Sequence, residues 1–168
     1  MIEAAIGLGA NLGERRAALR RGLWSLGLPL LAVSSLYESS PVETEIAQPN
    51  YLNAVAVALV SEAMAPQDLL LRLLSVETAL GRVRAPGKPP RTLDLDLLLF
   101  DGAILDEPGL TLPHPGLLRR RFVLEPLLEV RPGAALPDGR PLRPFLAATL
   151  DQQVRLVAGR CWWWRIAD

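Results

Sequence analysis

One cysteine (Cys161), one histidine (His114) and one lysine (Lys88) occur in a chain of 168 residues. A lone cysteine excludes an intramolecular disulfide and a cysteine metal cluster, and it suits a reducing, cytoplasmic location. With one histidine and no serine or cysteine in a recognisable nucleophile elbow, nothing in the chain resembles a nucleophilic triad. No stretch reaches the ~18 uninterrupted apolar residues of a membrane span. The start, MIEAAIGLGANLG, lacks a basic region followed by a long apolar core, so a soluble, unprocessed protein with no membrane partner is expected. The 18 basic and 18 acidic residues cancel. There is thus no global basic field to favour nucleic acid, and any polyanion site must be local. The chain also has no G-x-x-x-x-G-K-[ST] phosphate loop. In Gly7-Leu8-Gly9-Ala10-Asn11-Leu12-Gly13, Leu12 stands where G-x-G-x-x-G needs glycine, which argues against a dinucleotide site.

Half of the chain is hydrophobic, enough to bury one core, and residues 1–168 are expected to form a single catalytic domain. Ile2 to Leu8 alternates like a strand and runs into the glycine-rich loop. Glu14 to Leu26 carries Leu19, Leu23 and Leu26 on one helical stripe. Leu30 to Tyr37 reads as a second strand and Tyr51 to Val60 as a third, separated by a proline-punctuated loop of the long kind that often carries function. Pro66 opens a helix with the stripe Leu69, Leu70, Leu73, Val76 and Leu80, and Gly81 ends it. The order strand, helix, strand, strand, helix, strand is the split βαβ, ferredoxin-like α+β pattern: a βαββαβ core, an antiparallel sheet with helices packed on it. Beyond it come a turn at Leu112-Pro113-His114-Pro115, a helix from Arg119 toward Leu128, a turn at Pro137-Asp138-Gly139, a short helix within Leu142 to Leu150, and a C-terminal extension.

The stretch Arg91-Thr92-Leu93-Asp94-Leu95-Asp96-Leu97-Leu98-Leu99-Phe100 sets two acids two residues apart in an apolar strand. Alternation sends Asp94 and Asp96 to one face and the leucines at 93, 95 and 97 to the other. Two carboxylates this close repel, so they either lie on a solvated face or share a cation. Oxygen ligands favour Mg²⁺, which commonly takes one or two carboxylates plus substrate phosphates. Nearby in sequence stand Arg82, Arg84 and Arg91, then His114, Arg119, Arg120 and Arg121. Arginine suits phosphate because its planar fork donates parallel hydrogen bonds and stays charged. Acids for metal beside arginines for phosphate describe a nucleoside triphosphate site built without a phosphate loop.

Six motifs in order carry a resemblance: Gly9-Ala10-Asn11-Leu12-Gly13; Tyr37 with Ser39-Ser40-Pro41; Gln48-Pro49-Asn50-Tyr51-Leu52-Asn53-Ala54; Gly81-Arg82-Val83-Arg84; Arg91-Thr92-Leu93-Asp94-Leu95-Asp96; and Leu112-Pro113-His114. From about Ile2 to about Leu146 the chain resembles 6-hydroxymethyl-7,8-dihydropterin pyrophosphokinases of folate biosynthesis, whose fold is ferredoxin-like. The resemblance implies transfer of diphosphate from ATP to the hydroxymethyl group of a reduced pterin, releasing AMP. It implies two Mg²⁺ ions on Asp94 and Asp96, with ATP contacts at Arg82, Arg91, His114 and Arg120. Arg82, Arg84, Arg91 and Asp96 take catalytic roles, Asp96 also as a candidate acceptor of the hydroxyl proton. Tyr51 and Phe122 match an aromatic pair around the pterin, Asn53 an amide on its polar edge, and Ser40 and Val42 positions where backbone groups meet it. The expected partners are the two small-molecule substrates, and the expected state is a monomer.

Three departures mark this chain. Where many relatives carry Trp-Gly before the strand arginine, Lys88-Pro89-Pro90 stands with one residue fewer, giving a stiffer loop without an aromatic cover. Pro115 follows the histidine where relatives often have a large residue. The tail from Asp151 lies past the resemblance; its Trp162-Trp163-Trp164 either packs on the domain or a partner or stays disordered, and Cys161 is read as inert. Two rivals share the strand order. A nucleotidyltransferase palm usually needs a further strand carboxylate, for which Glu3 is the sole candidate on the first strand. An RNA-recognition module displays strand aromatics, which Ala54 to Val60 lack.

Overall fold

The computed structural model describes residues 1–42, 47–82 and 89–164. Along the chain come β1 (Ile2–Ala10), α1 (Arg15–Ser25), β2 (Leu30–Val33), β3 (Leu36–Ser39), β4 (Tyr51–Val60), α2 (Pro66–Ala79), β5 (Asp94–Phe100), β6 (Leu105–Glu107), β7 (Leu110–Leu112), α3 (Arg121–Val130), α4 (Arg143–Ala147) and β8 (Val154–Ala158). Short 3₁₀ turns occupy Leu117–Arg119 and Arg160–Trp163.

The main sheet has the order β5-β1-β4-β3-β8, with β2 also on β4, and every pairing in it is antiparallel. β1 and β4 are paired along their whole length, from Ile2 opposite Val60 to Ala10 opposite Leu52. Alternation splits the sheet's side chains between two layers. Ala4, Ile6 and Leu8 of β1, Ala54 to Val60 at even positions of β4, and Leu95 and Leu97 of β5 pack with Leu19 and Leu23 of α1 and Leu69 and Leu73 of α2. Ala5, Val55, Val57 and Leu98 face the opposite way, under Val123, Leu124 and Leu127 of α3. Helices therefore cover both faces. Leu98 follows the alternation of Asp94 and Asp96 into the second layer, and a register shift between Ala5 and Ile6 opposite β5 returns Phe100, which strict alternation would also send there, to the first.

α2 starts with Pro66 at its first position, and the Asp68 carboxylate accepts the Ala65 N–H at 3.3 Å. It stops where Gly81 turns to φ +83°, a conformation glycine adopts without a side-chain penalty. The strand expected at Leu30 to Tyr37 is two. Buried Ser34 ends the first, its hydroxyl accepting the Val55 N–H at 2.9 Å and donating to the Ser35 carbonyl at 2.7 Å. Side-chain hydrogen bonds of this local kind compete with a sheet ladder.

The tail is part of the fold as far as Trp164. β8 pairs with β3, and Trp162 is buried among the residues of the α1/α2 layer, its indole N–H donating to the Ser34 carbonyl at 2.8 Å. Arg160 donates to Glu129 at 2.9 Å, and the same carboxylate accepts from the Ser35 N–H and hydroxyl and from the Tyr37 hydroxyl. Cys161 and Trp164 are exposed. No helix among the described residues is long and apolar enough to cross a membrane.

Candidate active site

Two glycines inside β1 shape the floor of a cavity of about 270 Å³. Gly9 lies between Asn53 on β4 and Asp94 on β5, and Gly7 lies between Val55 and Asp96. A Cβ on Gly9 would sit 3.7 Å from the Asn53 Oδ1 and 3.8 Å from the Asp94 Cβ. The missing side chain of Gly9 thus leaves room between an amide and an acid, while that of Gly7 lets Leu98 pack against the strand beside Asp96, where a Cβ would lie 3.4 Å from its methyl carbons. Glycine within a strand often marks such a close approach. The Gly7-Leu8-Gly9 sequence is a strand with a bare face, and Gly13, at φ +60°, makes the turn into α1.

Asp94 and Asp96 point away from the α1/α2 layer, as alternation requires, but their surroundings differ. Asp94 is held between Arg82, whose Nη1 lies 2.7 Å from Oδ1, and Arg91, whose Nη1 lies 2.5 Å from Oδ2. Arg82 is in turn held by Glu77, a buried carboxylate on α2 that also accepts the Leu95 N–H at 2.7 Å. Burial raises the Glu77 carboxyl above its usual range despite those hydrogen bonds. Asp96 sits deeper over the sheet. Burial, with the Asp94 charge adding to it, raises its carboxyl to about 7 against the pull of Arg120 and Arg91. Its side chain still shows 35% exposure, so it is recessed yet open to the cavity, and a cation entering there would favour its charged form.

His114 follows the Leu112–Pro113 bond, which is cis. Its Nδ1 accepts the Gly116 N–H at 2.9 Å, which leaves Nε2 to carry the proton, 4.0 Å from Asp96 Oδ2. Burial, aided by the Arg120 charge, pushes the imidazole down to about 4, so it is a neutral donor at pH 7. Arg120 lies with its guanidinium carbon 5.9 Å from the Phe122 ring centre. Of the Arg119-Arg120-Arg121 triplet only Arg120 lines the cavity: Arg119 is exposed and Arg121 turns to Glu125 at 2.7 Å.

The opposite wall is made by Ser40, Val42, Tyr51, Asn53 and Phe122. Buried Asn53 donates to the Ser39 hydroxyl at 3.0 Å, and Tyr51 donates to Gln48 at 3.2 Å. The structure thus brings together Ser40, Val42, Tyr51, Asn53, Arg91, Asp94, Asp96, His114, Arg120 and Phe122 around one cavity, with Arg82 behind Asp94. Arg84 and Lys88 lie outside the described residues. Glu3, the possible third acid, pairs with Arg131 at 2.8 Å toward the far end of β1. Among the described residues no group of three acids, histidines or cysteines could hold a metal by itself. Two carboxylates and no softer ligand suit Mg²⁺, which leaves most of its coordination to water and substrate oxygens.

Sequence reasoning did not single out three supporting residues. Buried Asn11 donates to Gln48 at 3.0 Å and accepts the Arg91 N–H at 2.7 Å, tying the end of β1 to both flanking loops. Glu77 had a signal in the sequence, an acid on the stripe of Leu73, Val76 and Leu80. Gln152, described below, had none.

Known proteins resemble this chain over most of its length. The profile of the 7,8-dihydro-6-hydroxymethylpterin-pyrophosphokinase (HPPK) family matches residues 5–132. The 2-amino-4-hydroxy-6-hydroxymethyldihydropteridine pyrophosphokinase of Pseudomonas aeruginosa is 44% identical over 92% of this chain and 96% of its own length. The Folic acid synthesis protein fol1 of Schizosaccharomyces pombe is 35% identical over 92% of this chain, which spans 21% of that longer protein. In structure, wild-type Plasmodium falciparum HPPK-DHPS superposes with a TM-score of 0.68 at 11% identity, over 89% of this chain and 45% of that one, a likeness of fold. The chain belongs to the HPPK family.

Proposed function

We propose that this chain transfers the terminal diphosphate of ATP to the hydroxymethyl oxygen of 6-hydroxymethyl-7,8-dihydropterin, releasing AMP, in folate biosynthesis. The observation that carries the reading is bare Gly9, which joins the Asp94/Asp96 end of the cavity to the Tyr51/Asn53 end. The hydroxymethyl oxygen attacks the β-phosphorus, the bond from that phosphorus to the oxygen of the AMP phosphate breaks, and the hydroxyl proton is lost. Such a transfer needs little covalent chemistry from the protein; it needs positioning and neutralised charge.

Asp94 and Asp96 would hold Mg²⁺ in this scheme, two ions that neutralise phosphate charge and align the attacking and leaving oxygens when bound. Arg91, Arg82, Arg120 and the neutral Nε2–H of His114 donate to the triphosphate. Arg82 and Arg91, now paired with Asp94, exchange that carboxylate for phosphate oxygens. Arg84 is assigned a catalytic role beside them on the family resemblance alone. Asp96 is the candidate acceptor of the hydroxyl proton. Tyr51 and Phe122 bracket the flat pterin ring, Asn53 reads its polar edge, and backbone groups at Ser40 and Val42 complete its enclosure. The proposed state is a monomer and the proposed location the cytoplasm, with which the single cysteine is compatible.

Incubation with ATP, Mg²⁺ and the hydroxymethyl dihydropterin tests the reaction. The expected product pair is AMP and the pterin diphosphate, formed only when the pterin is present. Release of ADP, or ATP consumption indifferent to the pterin, contradicts it.

A further inference from the structure

We infer that Gln152, in the C-terminal segment beyond the family match at residues 5–132, is a positioning residue that sets the direction of Arg120 into the cavity. Its side-chain amide spans the backbone on both sides of Arg120: Oε1 accepts the Arg121 N–H at 2.9 Å, and Nε2 donates to the Arg119 carbonyl at 2.7 Å. One donor and one acceptor meeting one carbonyl and one N–H reproduce a rung of a β-ladder. The rung is needed because Arg120 is the extended residue, φ −119° and ψ 106°, between a 3₁₀ turn and α3, and its own side chain does not cap the helix. The first N–H groups of a helix have no partner within it, and Gln152 supplies one from 31 residues away.

Gln152 is itself fixed. Its N–H donates to the Thr149 carbonyl at 3.1 Å, its carbonyl accepts from Arg121 Nη1 at 2.9 Å, and β8 begins two residues later on β3. It also walls, with Ser39, Ser40, Val42 and Phe122, a cavity of about 280 Å³ that shares those four residues with the candidate active site. On the other side of Arg120, buried Gly116 gives the guanidinium its room, since a Cβ there would lie 2.6 Å from the guanidinium carbon. Gln152 behind the backbone and Gly116 beneath the side chain together explain why Arg120 faces the cavity while Arg119 and Arg121 do not.

This inference rests on the proposed function, in which Arg120 contacts ATP, and the experiment separates the two. Steady-state KM for ATP is compared in wild type, Gln152→Ala, Arg120→Ala and the double variant, well below the melting temperature. Gln152→Ala is expected to raise KM for ATP by about five- to twentyfold, the size of a lost supporting hydrogen bond or two. The effect should vanish in the Arg120→Ala background. Gln152→Glu, which keeps the acceptor for the Arg121 N–H but cannot donate to the Arg119 carbonyl, should fall between, and it carries the test if the alanine variant does not fold. The same fold-loss in both backgrounds, or a wild-type KM in Gln152→Ala beside an impaired Arg120→Ala, overturns the inference. A wild-type KM in Arg120→Ala alone overturns the ATP contact, and with it the premise.

Discussion

The two faces of the central sheet are built from the same strands but do different work. Toward α1 and α2 the strand positions of β1, β4 and β5 are apolar, with Glu38 of β3 paired to Arg15 at the margin, and the layer continues into Trp162 of the tail. The other face is divided. Under α3 it is apolar, at Ala5, Val55, Val57 and Leu98; beyond the helix's N-terminus it carries Asp94, Asp96, Asn53 and Tyr51 around Gly9. A strand assigns alternate residues to opposite sides. Chemistry can therefore occupy one side of β5 while the neighbouring residues hold the core. The site lies where the covering helix stops.

If that division is right, damage to the two faces separates into loss of turnover and loss of stability. The largest expected effect is on the open face: Asp94→Ala or Asp96→Ala should cut turnover by on the order of 10³-fold or more, with circular dichroism and thermal melting close to wild type. Unfolding of either variant would place the acids in the core's support instead. On the sealed face, Trp162→Ala should cost about 3–5 kcal/mol, read from denaturant unfolding. A loss under about 1 kcal/mol would mean the tail is dispensable for stability, against the loss expected for a buried tryptophan. Tyr51→Ala should weaken pterin binding by about 1–3 kcal/mol, the usual worth of a stacked ring, and leave an ATP analogue's affinity unchanged; equal losses would remove the stacking role. The smallest effect is a pH dependence at the tail. Burial works against the Glu129 charge, but hydrogen bonds from Arg160, Ser35 and Tyr37 outweigh it and hold the carboxyl below 4.5. A depressed folded value adds stability above the unfolded one and loses it as pH falls through the folded value. The stability gap between wild type and Glu129→Gln should thus be full above about pH 5 and close in acid; a gap unchanged with pH would contradict it.

The core was legible because it repeats. Tyr51–Val60 occurs with the bounds its composition suggests, and α1 and α2 differ from their stripes by a residue or so at the ends. The break at Ser34 was hidden, because two serines in an apolar run look like a strand's polar face until the hydroxyl is seen bonded to β4. The tail was hidden for a different reason. Val154–Ala158 and Trp162 find partners about 120 residues earlier in the chain, and no local pattern encodes a contact that distant. In the site, the acid pair was visible from alternation alone, whereas Glu77 and Gln152 act on backbone far from them in sequence. Periodicity reveals which face a side chain takes and not what it holds.

Leu95 and Asp96 are neighbours on β5 that face opposite layers, so the pair Leu95→Ala and Asp96→Ala tests the central claim most directly, by melting and by turnover per folded molecule. Leu95→Ala should lose about 2–5 kcal/mol of stability and keep wild-type turnover below its melting point, while Asp96→Ala should keep stability and lose turnover. The reverse pattern, or both losses in both variants, would contradict the division of the sheet into a supporting face and a working one.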